Sequence, residues 1–199
     1  MNGSAATAVD YLGELGAVLR SVPPEPLEAA LDALLEARAT GRRVYVMGNG
    51  GSAAIASQFV CNLVKTAQVA GYEPLRAFAL TDNTPSLTAW ANDTAYDQIF
   101  ARQIHALVEP GDVVIAISSS GNSPNIVAGL QAAQAIGART IGLLGFDGGR
   151  ALSLVEIAIH VPFDNYGLVE DTHMAIGHAL TRALRQALQR EPARAPVAG

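Results

Sequence analysis

The chain has 199 residues, of which half are hydrophobic and 16% charged, with a formal net charge of −5. That length can bury a substantial core, and that balance excludes a disordered chain and a basic nucleic-acid binder. Cys61 is the sole cysteine, which excludes an internal disulfide and a cysteine-based zinc site. The N-terminus lacks a basic region followed by a hydrophobic stretch, and the apolar runs are too short to span a bilayer. The expectation is a soluble cytoplasmic protein with no membrane or nucleic-acid partner, whose low charge suits an oligomer.

In chain order, residues 5–21 carry Val9, Leu12, Leu15 and Leu19 at helical spacing, and Pro23-Pro24 stops that helix. A second helix is predicted over 25–39, ended by Gly41. The pair has no sheet of its own to cover, so it packs as an antiparallel pair or donates a face to another subunit. From residue 43 strands and helices alternate. Strands are predicted at 44–47, 76–80, 113–117, 140–144 and 157–161. Helices are predicted at 53–65, around 86–90, and at 96–107, 125–136 and 168–188. Strands that are apolar throughout and alternate with helices imply a parallel sheet covered on both faces. No linker divides the chain, so residues 1–199 read as a single domain, with 190–199 a frayed tail.

Two stretches share one design: VYVMGNGGSAAIASQFVCNL at 44–63 and VVIAISSSGNSPNIVAGL at 113–130. Each is a strand that ends in a small polar loop opening a helix, the place where a phosphate is held by N–H groups and hydroxyls. In open parallel sheets both loops lie at the ligand-binding edge. Ser118, Ser119, Ser120 and Ser123 exceed the single hydroxyl that a helix cap needs. The loop has no lysine and lacks a dinucleotide fingerprint, so no nucleotide is implied. In GNGGS, Asn49, Gly50 and Ser52 read either as a tight strand-to-helix turn or as contacts to the polar end of the same ligand.

Gln58 and Asn62 share a face of the next helix, where amides ordinarily meet water. Glu170, Met174 and His178 share a face of the last helix, the outer two about 12 Å apart along the axis. Glu170 and His178 form a candidate acid/base pair, while His173 points elsewhere. Asn92-Asp93 falls in a predicted loop, where Asp93 either caps the following segment or holds substrate hydroxyls.

GNGGSA, TDN, AND…YD, ISSSGNS, GFDGG and the VED-to-His178 segment occur in the order found in sugar isomerase (SIS) domain proteins. The chain resembles the phosphoheptose isomerase branch over about residues 10–188. The resemblance implies a flavodoxin-like three-layer α-β-α sandwich and a homotetramer with active sites between subunits. It also implies conversion of sedoheptulose 7-phosphate to D-glycero-D-manno-heptose 7-phosphate through an enediol. By position, Ser118, Ser119, Ser120 and Ser123 match the family's phosphate loop. Asn49, Gly50 and Ser52 match the other substrate loop, Asp93 a substrate-contacting aspartate, and His178 the catalytic histidine.

Three positions depart from the pattern the resemblance implies. Gln58 stands where the family typically has His, Asn62 where it has a Glu base, and Glu170 where it has Gln. An amide cannot accept a substrate proton at neutral pH. Either Glu170 takes the base role beside His178, or the site binds phosphosugar without turnover, as in a scaffold resembling the DnaA-associating initiator protein. A third reading is an isomerase for a different sugar phosphate. No cofactor is required by the sequence. Zinc enters only through the resemblance, with Glu170 and His178 the good ligands and Gln58 and Asn62 weak ones.

Overall fold

The computed structural model describes residues 3–190, with side chains from residue 8 onward; the tail expected to fray lies, from 191 on, outside the described residues. Five strands, β1 (Arg43–Gly48), β2 (Arg76–Ala79), β3 (Val113–Ser118), β4 (Arg139–Gly145) and β5 (Ile157–Val161), form one sheet. All its pairings are parallel and its order is β2-β1-β3-β4-β5. This is the flavodoxin-like order, whose switch point lies between β1 and β3.

Among the described residues seven α-helices cover it: α1 (Gly3–Ser21), α2 (Pro24–Ala39), α3 (Gly51–Cys61), α4 (Thr84–Asp93), α5 (Ile99–Leu107), α6 (Pro124–Ile136) and α7 (Tyr166–Arg190). Alternate strand residues feed two cores. Val44, Val46, Ile115, Ile141 and Ile159 face a layer containing α2, α3 and α7. Tyr45, Met47, Val114 and Leu144 face the layer of α5 and α6. With both faces buried, the strands need no polar alternation, which is why they are apolar throughout. No described helix is long and apolar enough to cross a membrane.

Four local expectations are corrected. The helix predicted over 53–65 is α-helical only to Cys61 and then makes a π-turn at Asn62–Thr66, closed by Ala67 N–H to Asn62 O at 2.9 Å. The Thr66 carbonyl, freed toward α7, accepts from Arg185 at 2.9 Å. The helix expected around 86–90 spans Thr84–Asp93: Asn83 caps its start by accepting from Ser86 N–H, and Thr94 N–H donating to Trp90 O closes its last turn, so Asp93 is its last residue and not in a loop. The segment 96–107 opens with a 3₁₀ turn at Tyr96–Gln98 before α5. Finally, α1 and α2 do not form a pair of their own. Helix α1 lies on α7, and α2 lies on α7 and the sheet.

Candidate active site

The loops after β1 and β3 leave neighbouring strands at matched height, since Gly48 pairs with Ile117. Parallel neighbours are about 4.8 Å apart, so the two polar loops open onto one cleft. Asn49, Ser52, Ser118, Ser119, Ser120 and Ser123 line it, together with Ile117, Tyr166 and Glu170. Its volume is about 150 Å³, below the ~300–1,000 Å³ usual for a whole small-molecule site. A larger groove of about 540 Å³ between β2 and α5 is chemically quiet. There the Tyr45 hydroxyl is given to Leu107 O, and the Gln103 amide to Leu80 O and Ile99 O.

The serine loop gathers hydroxyls whose protons are not used within the chain. Ser118 Oγ accepts from Gly121 N–H at 3.1 Å and Ser120 Oγ from Asn122 N–H at 3.3 Å, which leaves each hydroxyl proton available. Ser123 stands at the N-cap of α6, yet its side chain makes no capping bond. Ser119 Oγ is buried with no hydrogen-bond partner, an arrangement that costs about 1–3 kcal/mol unless a ligand supplies the partner. A single structural cap explains none of this.

The loop is braced from behind by 146–149, the FDGG segment. Gly121 sits at φ +63°, and a Cβ there would overlap the Gly148 carbonyl. Asn122 ties the two loops, donating to Ser120 O and accepting from Arg150 N–H. Phe146 holds a positive φ of 48° and meets Tyr166 edge-on, with centroids 4.7 Å apart. A strained non-glycine residue beside a ligand cleft is a common companion of function.

Glu170 reaches the cleft from α7 and lies against Gly51, where a Cβ would collide with its carboxylate. The anion thus sits at the positive end of the α3 dipole. One residue on, Asp171 accepts from the Tyr11 hydroxyl at 2.6 Å. That hydrogen bond, with partial burial and the charges of Asp171 and Glu170, pushes the Tyr11 pKa up to about 12. The contact fastens α1 to the start of α7.

His178 is two turns further along α7, exposed, and does not line this cleft. It meets Asn62 instead. Asn62 Oδ1 accepts from Gln58 Nε2 at 3.2 Å and from Thr66 Oγ1 at 3.5 Å. Its Nδ2 therefore faces His178 Nδ1, at 3.4 Å, and makes that nitrogen an acceptor. In that arrangement a neutral ring would carry its proton on Nε2. Gln58 is exposed as expected, but Asn62 is buried, contrary to the expectation that both amides meet water.

The loop after β1 is tied to the start of α6 by side-chain amides. Asn49 and Asn125, the latter 1% exposed, exchange amide hydrogen bonds of 2.8 Å in both directions. The Tyr96 hydroxyl adds a third bond to Asn49 Oδ1 at 3.2 Å. Ser52 is buried in the first turn of α3. Gly50, at φ +52°, makes the turn into that helix without lining the cleft. Asp93 is exposed at the end of α4, accepts from its neighbour Asn92 at 2.9 Å, and does not line the cleft either. Asn125, Tyr96 and Tyr166 were not singled out in the sequence. The exposure of Tyr96 and Tyr166, 62% and 61%, is a mark only the structure gives.

The donor set does not fit a zinc ion within one chain. Glu170 and His178 are apart, amides flank the histidine, and no group of three or more His, Cys, Asp or Glu among the described residues could hold a metal. Catalytic zinc takes three good protein ligands.

The SIS domain model matches residues 10–145. The chain is 44% identical over 162 residues to a phosphoheptose isomerase of Geotalea daltonii, covering 81% of this chain and 84% of that one. The fold superimposes on the phosphoheptose isomerase of Neisseria gonorrhoeae with a TM-score of 0.86 and 28% identity, covering 92% of this chain and all of that one. A phosphoheptose isomerase from Francisella tularensis gives a TM-score of 0.85 at 29% identity, over 92% of this chain and 99% of its own. A parallel sheet in flavodoxin order, a serine loop with an unpartnered buried hydroxyl, and these relatives converge: the chain belongs to the SIS domain family, in its phosphoheptose isomerase branch.

Proposed function

We propose that this protein is an aldose–ketose isomerase that converts sedoheptulose 7-phosphate to D-glycero-D-manno-heptose 7-phosphate. The observation that carries the reading is the buried, unpartnered Ser119 hydroxyl in a cleft shared by both polar loops. Ser118, Ser119, Ser120 and Ser123 hold the phosphate at the N-terminus of α6. Glu170, the carboxylate in that cleft, takes the proton from C1 of the ketose. His178, with its proton on Nε2, gives it to the carbonyl oxygen at C2. The enediol then returns its O1 proton to His178 Nε2 while Glu170 gives its proton to C2, which yields the aldehyde and restores both groups. The Asn62 contact supports this division, since the amide sets the neutral histidine as a donor and leaves the accepting role to Glu170. No step is routed through a metal.

The small cleft and the exposed His178 support a homotetramer with sites between subunits, in which His178 of one protomer closes the cleft of another. Exposed Val9, Leu12 and Leu19 on α1 offer apolar surface for such contacts. Asp93, outside the single-chain cleft, belongs to the substrate site only in that assembly. The chain is read as one domain because α7 packs back on α1, α2 and α3; cytoplasmic residence belongs to the same proposal. The scaffolding alternative is not favoured, since the relatives carry isomerase names.

Incubation with sedoheptulose 7-phosphate tests the reading; no interconversion, with or without zinc, sinks it. Glu170→Gln should lower kcat by about 10²-fold or more with little change in KM, and an unchanged kcat removes Glu170 from the mechanism. Gly51→Ala should act on the same group without touching it chemically. The clash is with the end of a flexible side chain, so stability should change by less than about 1 kcal/mol. Displacement of the carboxylate should nonetheless cost about 10-fold or more in kcat, and steady-state kinetics beside a urea melt will show whether activity and stability separate in this way.

A further inference from the structure

We propose that Asn125 and Tyr96 are positioning residues that hold Asn49 as a one-hydrogen donor toward the hydroxyl-bearing part of the substrate. The backbone fixes the polarity of the network. Ile126 N–H donates to Asn125 Oδ1 at 2.9 Å, so the Asn125 amide cannot be turned over without losing a bond at the start of α6. Its Nδ2 must then donate to Asn49 Oδ1, and Asn49 Nδ2 must return a bond to Asn125 Oδ1, both at 2.8 Å. The Tyr96 hydroxyl, at 3.2 Å, takes the other acceptor site of Asn49 Oδ1.

The accounting leaves Asn49, in the wall of the cleft, with one uncommitted amide hydrogen and no free acceptor. It can recognise only a lone pair, and it cannot turn to offer its oxygen to a substrate O–H. The same pair joins the loop after β1 to the start of α6, so the spacing between the two loops is set by a half-buried clamp and not by the ligand. This inference rests on reading the cleft as a sugar-phosphate site.

Calorimetric titration of sedoheptulose 7-phosphate, and separately of inorganic phosphate, tests it in wild type, Asn49→Ala, Asn125→Ala and the double variant. Each single variant should bind the heptose phosphate about tenfold more weakly, and the double variant no more weakly than either. Inorganic phosphate, held by the serine loop, should shift by less than about twofold. A double variant weakened about a hundredfold shows independent roles and overturns the proposal. So does an equal loss of inorganic phosphate in Asn125→Ala, which would show that Asn125 merely shapes the start of α6.

If Asn125→Ala does not fold, the exposed Tyr96 supplies the same test. Tyr96→Phe should weaken heptose phosphate binding about threefold in wild type and have no effect in the Asn49→Ala background; equal effects in both backgrounds overturn the proposal. Wild-type protein that binds the heptose phosphate without interconverting it overturns the isomerase reading and leaves this one standing. Wild-type protein that binds inorganic phosphate alone overturns the presentation of Asn49 to a sugar.

Discussion

Gly121→Ala is expected to abolish inorganic phosphate binding and to lower the unfolding free energy by about 3 kcal/mol. The backbone at Gly121 has φ +63°, a conformation that costs an L-residue about 1–2 kcal/mol. The new methyl group also meets the Gly148 carbonyl, which is backbone and cannot swing aside. Overpacking of that kind adds about 1–3 kcal/mol. Relief requires the serine loop to lift from the 146–149 segment, and lifting it scatters the four hydroxyls. Urea denaturation and phosphate titration measure the two effects. A variant with wild-type stability and wild-type phosphate affinity would show that the two loops are not braced on each other.

Acid should weaken the fold through His173. This residue of α7 is fully buried, and neither ring nitrogen makes a well-formed hydrogen bond. Burial pushes its pKa down to about 4; the Leu144 backbone opposes the shift and the charge of His160 adds to it. The unfolded chain, with a histidine pKa near 6.5, binds more protons than the folded one between those values. Stability is therefore full above about pH 6.5 and falls as pH drops toward 4, by about 3 kcal/mol in total. His173→Leu, close in volume and without a proton to gain, should flatten that slope. Urea midpoints measured at pH 7 and pH 4.5 will show it. Equal acid sensitivity in the variant would place the titration elsewhere.

The sheet was legible because its strands are apolar on both faces. The segment 157–161 is placed to the residue, and the other strands to within a residue or two at each end. Helix ends were less so, because they depend on partners far away in sequence. Nothing local in NLVKT announces a π-turn; it is paired with Arg185 of α7, more than a hundred residues on. Asp93 reads as a loop residue after Trp90, whereas a bond from Thr94 N–H to Trp90 O carries α4 on to it.

In the site, the serines and Glu170 were readable from type and spacing, since both loops had to emerge at one edge of the sheet. Which neighbour each of Glu170 and His178 would meet was not readable. Spacing along α7 puts them on one face, but the cleft takes the first and Asn62 takes the second. Nothing in the sequence marks Asn125, the first residue of the helix predicted over 125–136. Its partner, Asn49, is 76 residues away.

The bracing of the serine loop by 146–149 bears on how such a protein diversifies. The phosphate end is made of main-chain turns, glycines and short hydroxyls, parts that tolerate almost no exchange because each is another's neighbour. On the proposed reading the reacting end is made of side chains, Glu170 and His178, that project from one helix and lie outside those turns. What the protein grips is thus inherited with the backbone, while the chemistry performed on the far end of the molecule is open to revision one residue at a time.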